Sequence, residues 1–273
     1  MLPEWLLLKI AGVVRRNRAL APPLDITRIT VPLCGLARAF EGLEIVHISD
    51  LHVGEYPWEP RIADAVSFVQ KTAPDIVINT GDYLQGDPPI ERVRDLVEPF
   101  VVRHNLHGSP ALNLSILGNH DYFVDDESVS RLADELCVLG IEVVENRVIT
   151  CRRDDASLTF VGLTRDRPGF DAALQQFLQC ARPRIAIIHE PDIAAALPHD
   201  AADLVLAGHT HGGQIVAPGL RGLIARRFGN THYVDGFYHV NGMLMYVNRG
   251  LGYTGLPLRV SARPEVCLVR LTR

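Results

Sequence analysis

The chain has 273 residues, of which 47% are hydrophobic and 22% charged; that is enough to bury one large core, and it excludes a disordered or collagen-like polymer. A formal net charge of -5 excludes a protein that coats nucleic acid through bulk charge, although a local basic rim can still receive a phosphate. Five scattered cysteines (Cys34, Cys137, Cys151, Cys180, Cys267) lack CxxC spacing and read as ordinary, mostly buried thiols of a reducing compartment, neither a disulfide frame nor a thiolate cage.

In chain order, residues 1–40 form an N-terminal amphipathic helix and lead-in, and residues 41–273 the main domain. Leu2, Leu6, Ile10 and Val13 recur at helical spacing and are followed by Arg15, Arg16 and Arg18. The apolar run is shorter than the ~20 residues a membrane crossing needs, and Lys9 interrupts it. Glu4 precedes the run and the arginines follow it, the reverse of a secretory signal. Residues 1–18 are therefore expected to pack on the protein's own body or to lie peripherally on the inner face of the membrane of a cytoplasmic protein. After Pro22-Pro23, the β-branched stretch Ile26 to Val31 reads as an edge strand.

From residue 41, short apolar runs predict strands over Leu43–Ile48, Asp75–Asn79, Leu112–Leu117, Leu158–Val161, Arg184–Ile188, Leu204–Leu206, Met243–Val247 and Val266–Leu271. Helical periodicity predicts helices over Pro60–Thr72, Ile90–Leu106 and Asp126–Leu139. Strand and helix alternate in the first half, which implies parallel strands buried on both faces and joined by crossover helices. The second half is richer in strands.

Polar clusters stand where these strands end. Ser49-Asp50-Leu51-His52 follows the first, Gly81-Asp82 the second and Gly118-Asn119-His120-Asp121 the third; His189 follows Ile188, and Gly208-His209-Thr210-His211 follows Leu206. Open α/β sheets gather their sites outside the carboxyl ends of strands, so five such ends would bring carboxylate, amide and imidazole groups into one crevice. Asp50 and His52, like His209 and His211, are two residues apart: an extended backbone aims both members of a pair to one side, whereas a curled turn lets them embrace adjacent ions. Imidazoles suit borderline transition metals, a carboxylate can bridge two cations, and an amide oxygen adds a ligand without charge.

These five ordered motifs resemble those of the calcineurin-like metallophosphoesterases. The resemblance spans most of residues 44 to 211 and implies an α/β fold of two mixed β-sheets flanked by helices, a four-layer αββα sandwich. It assigns Asp50, His52 and His211 to one divalent ion, Asn119, His189 and His209 to a second, and Asp82 to the bridge between them. Manganese, iron, zinc and cobalt all fit such N/O ligation. The implied reaction is phosphoester hydrolysis with a metal-bridging hydroxide as nucleophile, the paired ions clamping the phosphoryl oxygens. His120, beside a ligand but not needed as one, is free to face the substrate and protonate the leaving oxygen. Asp121 either orients that imidazole or caps local backbone. The purple acid phosphatase pattern would place a tyrosine three residues after the bridging aspartate, where this chain has Gln85, and that branch is disfavoured.

His211-Gly212-Gly213-Gln214, Arg249-Gly250-Leu251-Gly252 and Pro257-Leu258-Arg259 further resemble a bacterial, membrane-associated phosphodiesterase branch. This resemblance implies a phosphodiesterase or pyrophosphatase acting on a lipid-linked or nucleotide-linked phosphoester, with the UDP-2,3-diacylglucosamine of lipid A synthesis as one example. A phosphomonoesterase is the alternative within the enzyme reading. A non-catalytic scaffold is the alternative outside it, and such a scaffold would tolerate loss of ligands that are all present here. The sequence carries no signature of an oligomeric state.

Overall fold

A computed structural model describes residues 22–54, 59–214, 232–255 and 259–273. Residues 1–18 lie outside the described residues, and so does the helix expected there. No helix among the described residues is long and apolar enough to cross a membrane.

Two six-stranded sheets stack face to face. The first runs in the order β1 (Asp25–Pro32), β12 (Glu265–Thr272), β2 (Glu44–Ile48), β3 (Ile76–Asn79), β4 (Leu112–Ser115), β5 (Glu142–Val143). Its β2, β3, β4 and β5 are mutually parallel, and β12 runs antiparallel to β2. The second sheet runs β10 (Gly236–Val240), β11 (Met243–Val247), β9 (Leu204–Ala207), β8 (Arg184–Ile188), β7 (Ala156–Leu163), β6 (Arg147–Arg153). There β11, β9, β8 and β7 are parallel, and the outer strands β10 and β6 are antiparallel to their neighbours.

Period-2 alternation divides each central strand between two cores. Ile45, Ile76, Ile78 and Leu114 of the first sheet meet Phe160, Ile185, Ile187, Leu204 and Leu206 of the second in a core between the sheets. The alternate residues face outward. Val46, Ile48 and Val77 pack beneath α1 (Glu59–Thr72), α2 (Ile90–Val97) and α3 (Asp126–Leu139), while Val161, Ala186, Ile188 and Val205 pack beneath α4 (Phe170–Leu178) and α5 (Asp192–Ala196). Strands covered on both faces must be apolar throughout, which is why their sequences read as continuous hydrophobic runs.

Helix α3 begins where Asp125 accepts a hydrogen bond from the backbone N–H of Ser128 and ends at Gly140, whose φ of 89° places it in the left-handed region that closes helices. The helix expected from Ile90 to Leu106 is shorter: α2 stops at Val97 and a single 3₁₀ turn covers Glu98–Phe100. Pro99 has no N–H to continue the ladder. Beyond it, Asn113 exchanges hydrogen bonds with the backbone of Val102, which holds the chain in a loop. The cysteines also depart from expectation. All five are free thiols, but only Cys267 is buried, whereas Cys34 and Cys137 are exposed.

Candidate metal centre

Five strands, β2, β3 and β4 of one sheet and β8 and β9 of the other, end at the same rim of the sandwich. The pairing of β2 with β3 continues past their ends as backbone hydrogen bonds, Asp50 N–H to Gly81 O (2.9 Å), His52 N–H to Asp82 O (3.0 Å) and Val53 N–H to Tyr83 O (2.6 Å), so that the first two motif loops lie side by side. Gly208 N–H donates to His189 O (3.0 Å) and joins the two motif loops of the second sheet. Leu251 N–H donates to Ser49 O (2.9 Å), which brings the loop after β11 over the same rim.

The candidate ligands adopt an unusual backbone. Asp50 (φ 53°), His52 (46°), Asp82 (57°), His209 (74°) and His211 (51°) all lie in the left-handed region. For a residue with a Cβ this conformation costs about 1–2 kcal/mol, and it persists where surrounding contacts over-determine it. The two pairs therefore curl rather than extend, with different outcomes. Asp50 and His52 stay together with His211, while His209 joins Asp82 and His189.

His52 Nε2 lies 3.0 Å from His211 Nε2, and His211 Nε2 lies 3.5 Å from Asp50 Oδ1. On the other side His189 Nε2 is 3.0 Å from Asn119 Oδ1 and 3.2 Å from His209 Nδ1. Between the two groups stands Asp82, whose Oδ2 is 3.4 Å from His52 Nε2 and 3.3 Å from His189 Nε2. Its other oxygen accepts the backbone N–H of His120 at 2.8 Å, which fixes the carboxylate plane. Donor atoms sharing an ion with bond lengths of about 2.1 Å stand roughly 3.0–3.4 Å apart, so the spacing fits two cation positions sharing Asp82 Oδ2. Asp50 Oδ1 is buried with no hydrogen-bond partner, as an acceptor kept for a cation would be.

The rear nitrogens of two histidines point to carbonyls: His52 Nδ1 to Leu84 O (3.2 Å) and His189 Nδ1 to Thr80 O (2.7 Å). Each carbonyl fixes the proton on Nδ1 and leaves Nε2 with its lone pair toward the site. The protonation of these groups is divided between burial and their mutual charges. Burial raises the Asp50 carboxyl above its usual range, with Asp82 adding to the effect. Burial pushes Asp82 the same way, but His189 and His52 outweigh it and hold that carboxyl well below the usual range. Burial lowers the imidazole of His52 to about 4. For His189, burial is overcome by the Asp82 carboxylate and its hydrogen bond, which raise the imidazole to about 10.

His120 is half-buried and its ring sits edge-on to His52, with centroids 4.7 Å apart. Thr254 Oγ1 lies 3.4 Å from its Nε2, and the exposed Phe123 packs on its far side at 4.8 Å. The hydrogen bonds of Asp121 go to backbone and not to this ring. Its carboxylate is fully buried and accepts the backbone N–H groups of Gly118 and Leu84, both at 2.8 Å, which ties the second and third motif loops together. Burial, with Asp82 adding to it, raises this carboxyl to about 8. Of the two roles open to Asp121, the geometry supports backbone capping.

A model of the family described as calcineurin-like phosphoesterase matches residues 43–213. The chain belongs to this family. It is accordingly a hydrolase of phosphoric ester bonds, and the family characteristically uses divalent metals. The metallophosphoesterase YkuE of Bacillus subtilis is 30% identical over 91% of this chain and 85% of its own length. The phosphodiesterase YaeI of Escherichia coli is 27% identical over 84% of this chain and 82% of its own. Two further curated relatives are longer, and the chain covers 57% and 60% of them. The crystal structure of TT1561 of Thermus thermophilus shares the fold with a TM-score of 0.50 at 11% identity, covering 77% of this chain and 90% of that one.

Three residues that complete the rim carry no legible chemistry in the sequence. Gln214, one residue beyond Gly212-Gly213, exchanges hydrogen bonds with the backbone of Thr254, donating to its O (2.9 Å) and accepting from its N–H (2.8 Å). Thr254 in turn stands against His120. Arg259 reaches back to His211 from a point 48 residues later. Only the Gly-Gly-Gln and Pro-Leu-Arg runs themselves signal these positions.

Proposed function

We propose that this protein is a dinuclear metal-dependent phosphodiesterase or pyrophosphatase, with Asp50, His52 and His211 on one ion, Asn119, His189 and His209 on the other, and Asp82 between. The observation that carries this reading is the position of Asp82 Oδ2, within 3.4 Å of a ring nitrogen from each half-site. Two divalent ions held there supply a water of lowered pKa and a clamp for the phosphoryl oxygens. The protein's residues do the rest. The His120 amide fixes the free oxygen of Asp82, and the His120 imidazole, facing the site beside Thr254, donates the proton the leaving alkoxide needs. An alkoxide leaving group benefits most from such a donor, and a phosphate leaving group needs it less. The phosphodiesterase name of the Escherichia coli relative supports the diester preference.

The apolar and arginine-bearing sequence of residues 1–18 supports a lipid-linked or nucleotide-linked substrate reached from a membrane surface. Deleting residues 1–22 should then shift the protein from the membrane fraction to the soluble fraction, and unchanged partitioning overturns that part of the reading. The catalytic part is tested by hydrolysis of bis-p-nitrophenyl phosphate with added manganese, alongside the monoester. Turnover should be metal-dependent and faster on the diester. Asp82→Asn should abolish it. His120→Ala should lower kcat by about 10²–10⁴ on a diester with an alkyl leaving group and far less on bis-p-nitrophenyl phosphate, whose phenolate leaves without a proton, in both cases without loss of metal. Metal-independent hydrolysis, or full activity in both variants, refutes the assignment.

A further inference from the structure

Asn119–Tyr122 form the single 3₁₀ turn that carries Asn119 and His120, and Phe123 closes it, donating its N–H to His120 O (3.2 Å). The residues around Phe123 in the chain are taken up by the body of the protein. Asp121 is buried on the backbone of Gly118 and Leu84. Tyr122 donates its hydroxyl to the Glu145 carboxylate, and the Arg167 guanidinium stacks over its ring at 4.0 Å from the centroid. Tyr122 and Val124 both pack against the core beneath α1, α2 and α3. Phe123 stands out of that core and is 71% exposed.

An exposed apolar side chain is ordinary in itself, and its position decides whether it carries a function. Phe123 lies against the imidazole of His120, with ring centroids 4.8 Å apart and planes inclined at 52°. His120 in turn stands edge-on to His52 at 4.7 Å, so successive ring contacts lead from the candidate metal centre to the exposed Phe123. A departing group that takes its proton from His120 is therefore within reach of this ring. Because the turn is anchored at Asp121 and Tyr122, the ring is held in place before any ligand arrives, which spares a cost of ordering on binding. One exposed aromatic face engages a second ring in offset or edge-on contact. A flexible alkyl chain would instead need a trough that encloses it along its length.

We propose that Phe123 is a specificity-determining residue that binds an aromatic ring carried by the leaving alcohol, within a few bonds of the ester oxygen, so that the substrate class is a phosphodiester releasing such an alcohol. Water adds to phosphorus, the P–O bond to that alcohol breaks, and the departing oxygen takes its proton from His120. The inference rests on the phosphodiesterase reading above.

The test is the partition of a mixed diester, methyl 2-phenylethyl phosphate, hydrolysed by the full chain with added manganese. Both alcohols are primary and leave with similar difficulty, so the ratio of 2-phenylethanol to methanol released reports which ester group lies beside His120, whatever the overall rate. The wild type should release 2-phenylethanol in excess by about 3- to 10-fold, the worth of one aromatic contact. Phe123→Ala should bring the ratio close to one, and Phe123→Tyr, which keeps the ring, should retain the excess. Methyl n-butyl phosphate should give a ratio close to one in all three proteins. An even ratio in the wild type, or an excess that survives in Phe123→Ala, overturns the role of Phe123. So does a fall in rate with an unchanged ratio, because Phe123 would then only support the His120 ring. A butyl excess that Phe123→Ala abolishes overturns the aromatic class. If bis-p-nitrophenyl phosphate turns over and the mixed diester does not, this inference falls and the phosphodiesterase reading stands; if neither turns over, both fall.

Discussion

Gly118→Ala should disable the centre while leaving the fold standing. Gly118 has an ordinary extended backbone (φ -99°), so an alanine meets no dihedral strain there. What it meets is the site. Its Cβ would fall 2.2 Å from Asp82 Oδ1, 2.5 Å from Asp82 N and 2.7 Å from His189 Cε1. The backbone nitrogen cannot give way without parting the loops joined by Asp121, so the Asp82 carboxylate and the His189 ring must withdraw by roughly 1 Å to reach van der Waals contact. Such overpacking costs about 1–3 kcal/mol of stability. The effect on chemistry is larger, because a displacement near 1 Å at a positioned group lowers rate by about 10²-fold. Manganese stoichiometry, thermal melting and turnover of bis-p-nitrophenyl phosphate measure the three effects separately. Gly108→Ala is the matched control: its φ of 80° strains an alanine by about 1–2 kcal/mol, but its Cβ meets nothing within 4 Å and it should leave metal and turnover unchanged. If Gly118→Ala binds two ions and turns over within threefold of wild type, the bridging position of Asp82 is refuted.

Two further outcomes follow from buried polar groups near the rim. Asp121→Ala leaves the N–H groups of Gly118 and Leu84 without their acceptor and should destabilise the metal-free protein by about 1–3 kcal/mol in urea unfolding; unchanged stability would show that the carboxylate does not tie the loops. His47 lies between the sheets with Nε2 3.1 Å from Thr80 Oγ1, and burial lowers its pKa from 6.5 to about 3. Between those values the unfolded chain carries a proton that the folded chain refuses, so stability rises with pH and is lost as pH falls below 6.5. One proton corresponds to about 1.4 kcal/mol per pH unit, and His47→Leu should remove up to that much of the slope between pH 4 and 6; identical slopes would refute it.

What the sequence shows of this protein depends on how local each cause is. Helix α3 is legible to the residue because Asp125 and Gly140 mark its ends from within the segment. Strands β2, β3, β8 and β9 are legible because burial on both faces leaves uninterrupted apolar runs. The outer strands β6 and β10 are half-solvated, so Arg147, Arg152 and Arg153 disguise the first and Tyr238 and His239 the second. Helices α4 and α5 span only 9 and 5 residues, too few for their periodicity to stand out. The candidate ligands are legible because each falls within four residues of its strand's end. Thr254 and Arg259 are not, since they reach the site through the loop after β11, and nothing near them in the chain records that they meet His120 and His211.

The left-handed backbone at five candidate ligands explains how so few strands can supply separate groups of candidate ligands. A strand that simply ended in an Asp-x-His or His-x-His run would present both side chains to one side and crowd a single ion. At His209 and His211 the curl is joined to Gly212, itself left-handed at φ 61°, and the chain turns sharply enough to leave His209 in one group and His211 in the other. Asp50 and His52 curl as well, yet stay together, because the loop of Asp82 is hydrogen-bonded alongside them and occupies the place where a split would have led. The backbone strain is thus retained where it separates ligands in one loop and seats the shared carboxylate beside the other, and the ladder between residues 50–53 and 81–83 holds it there.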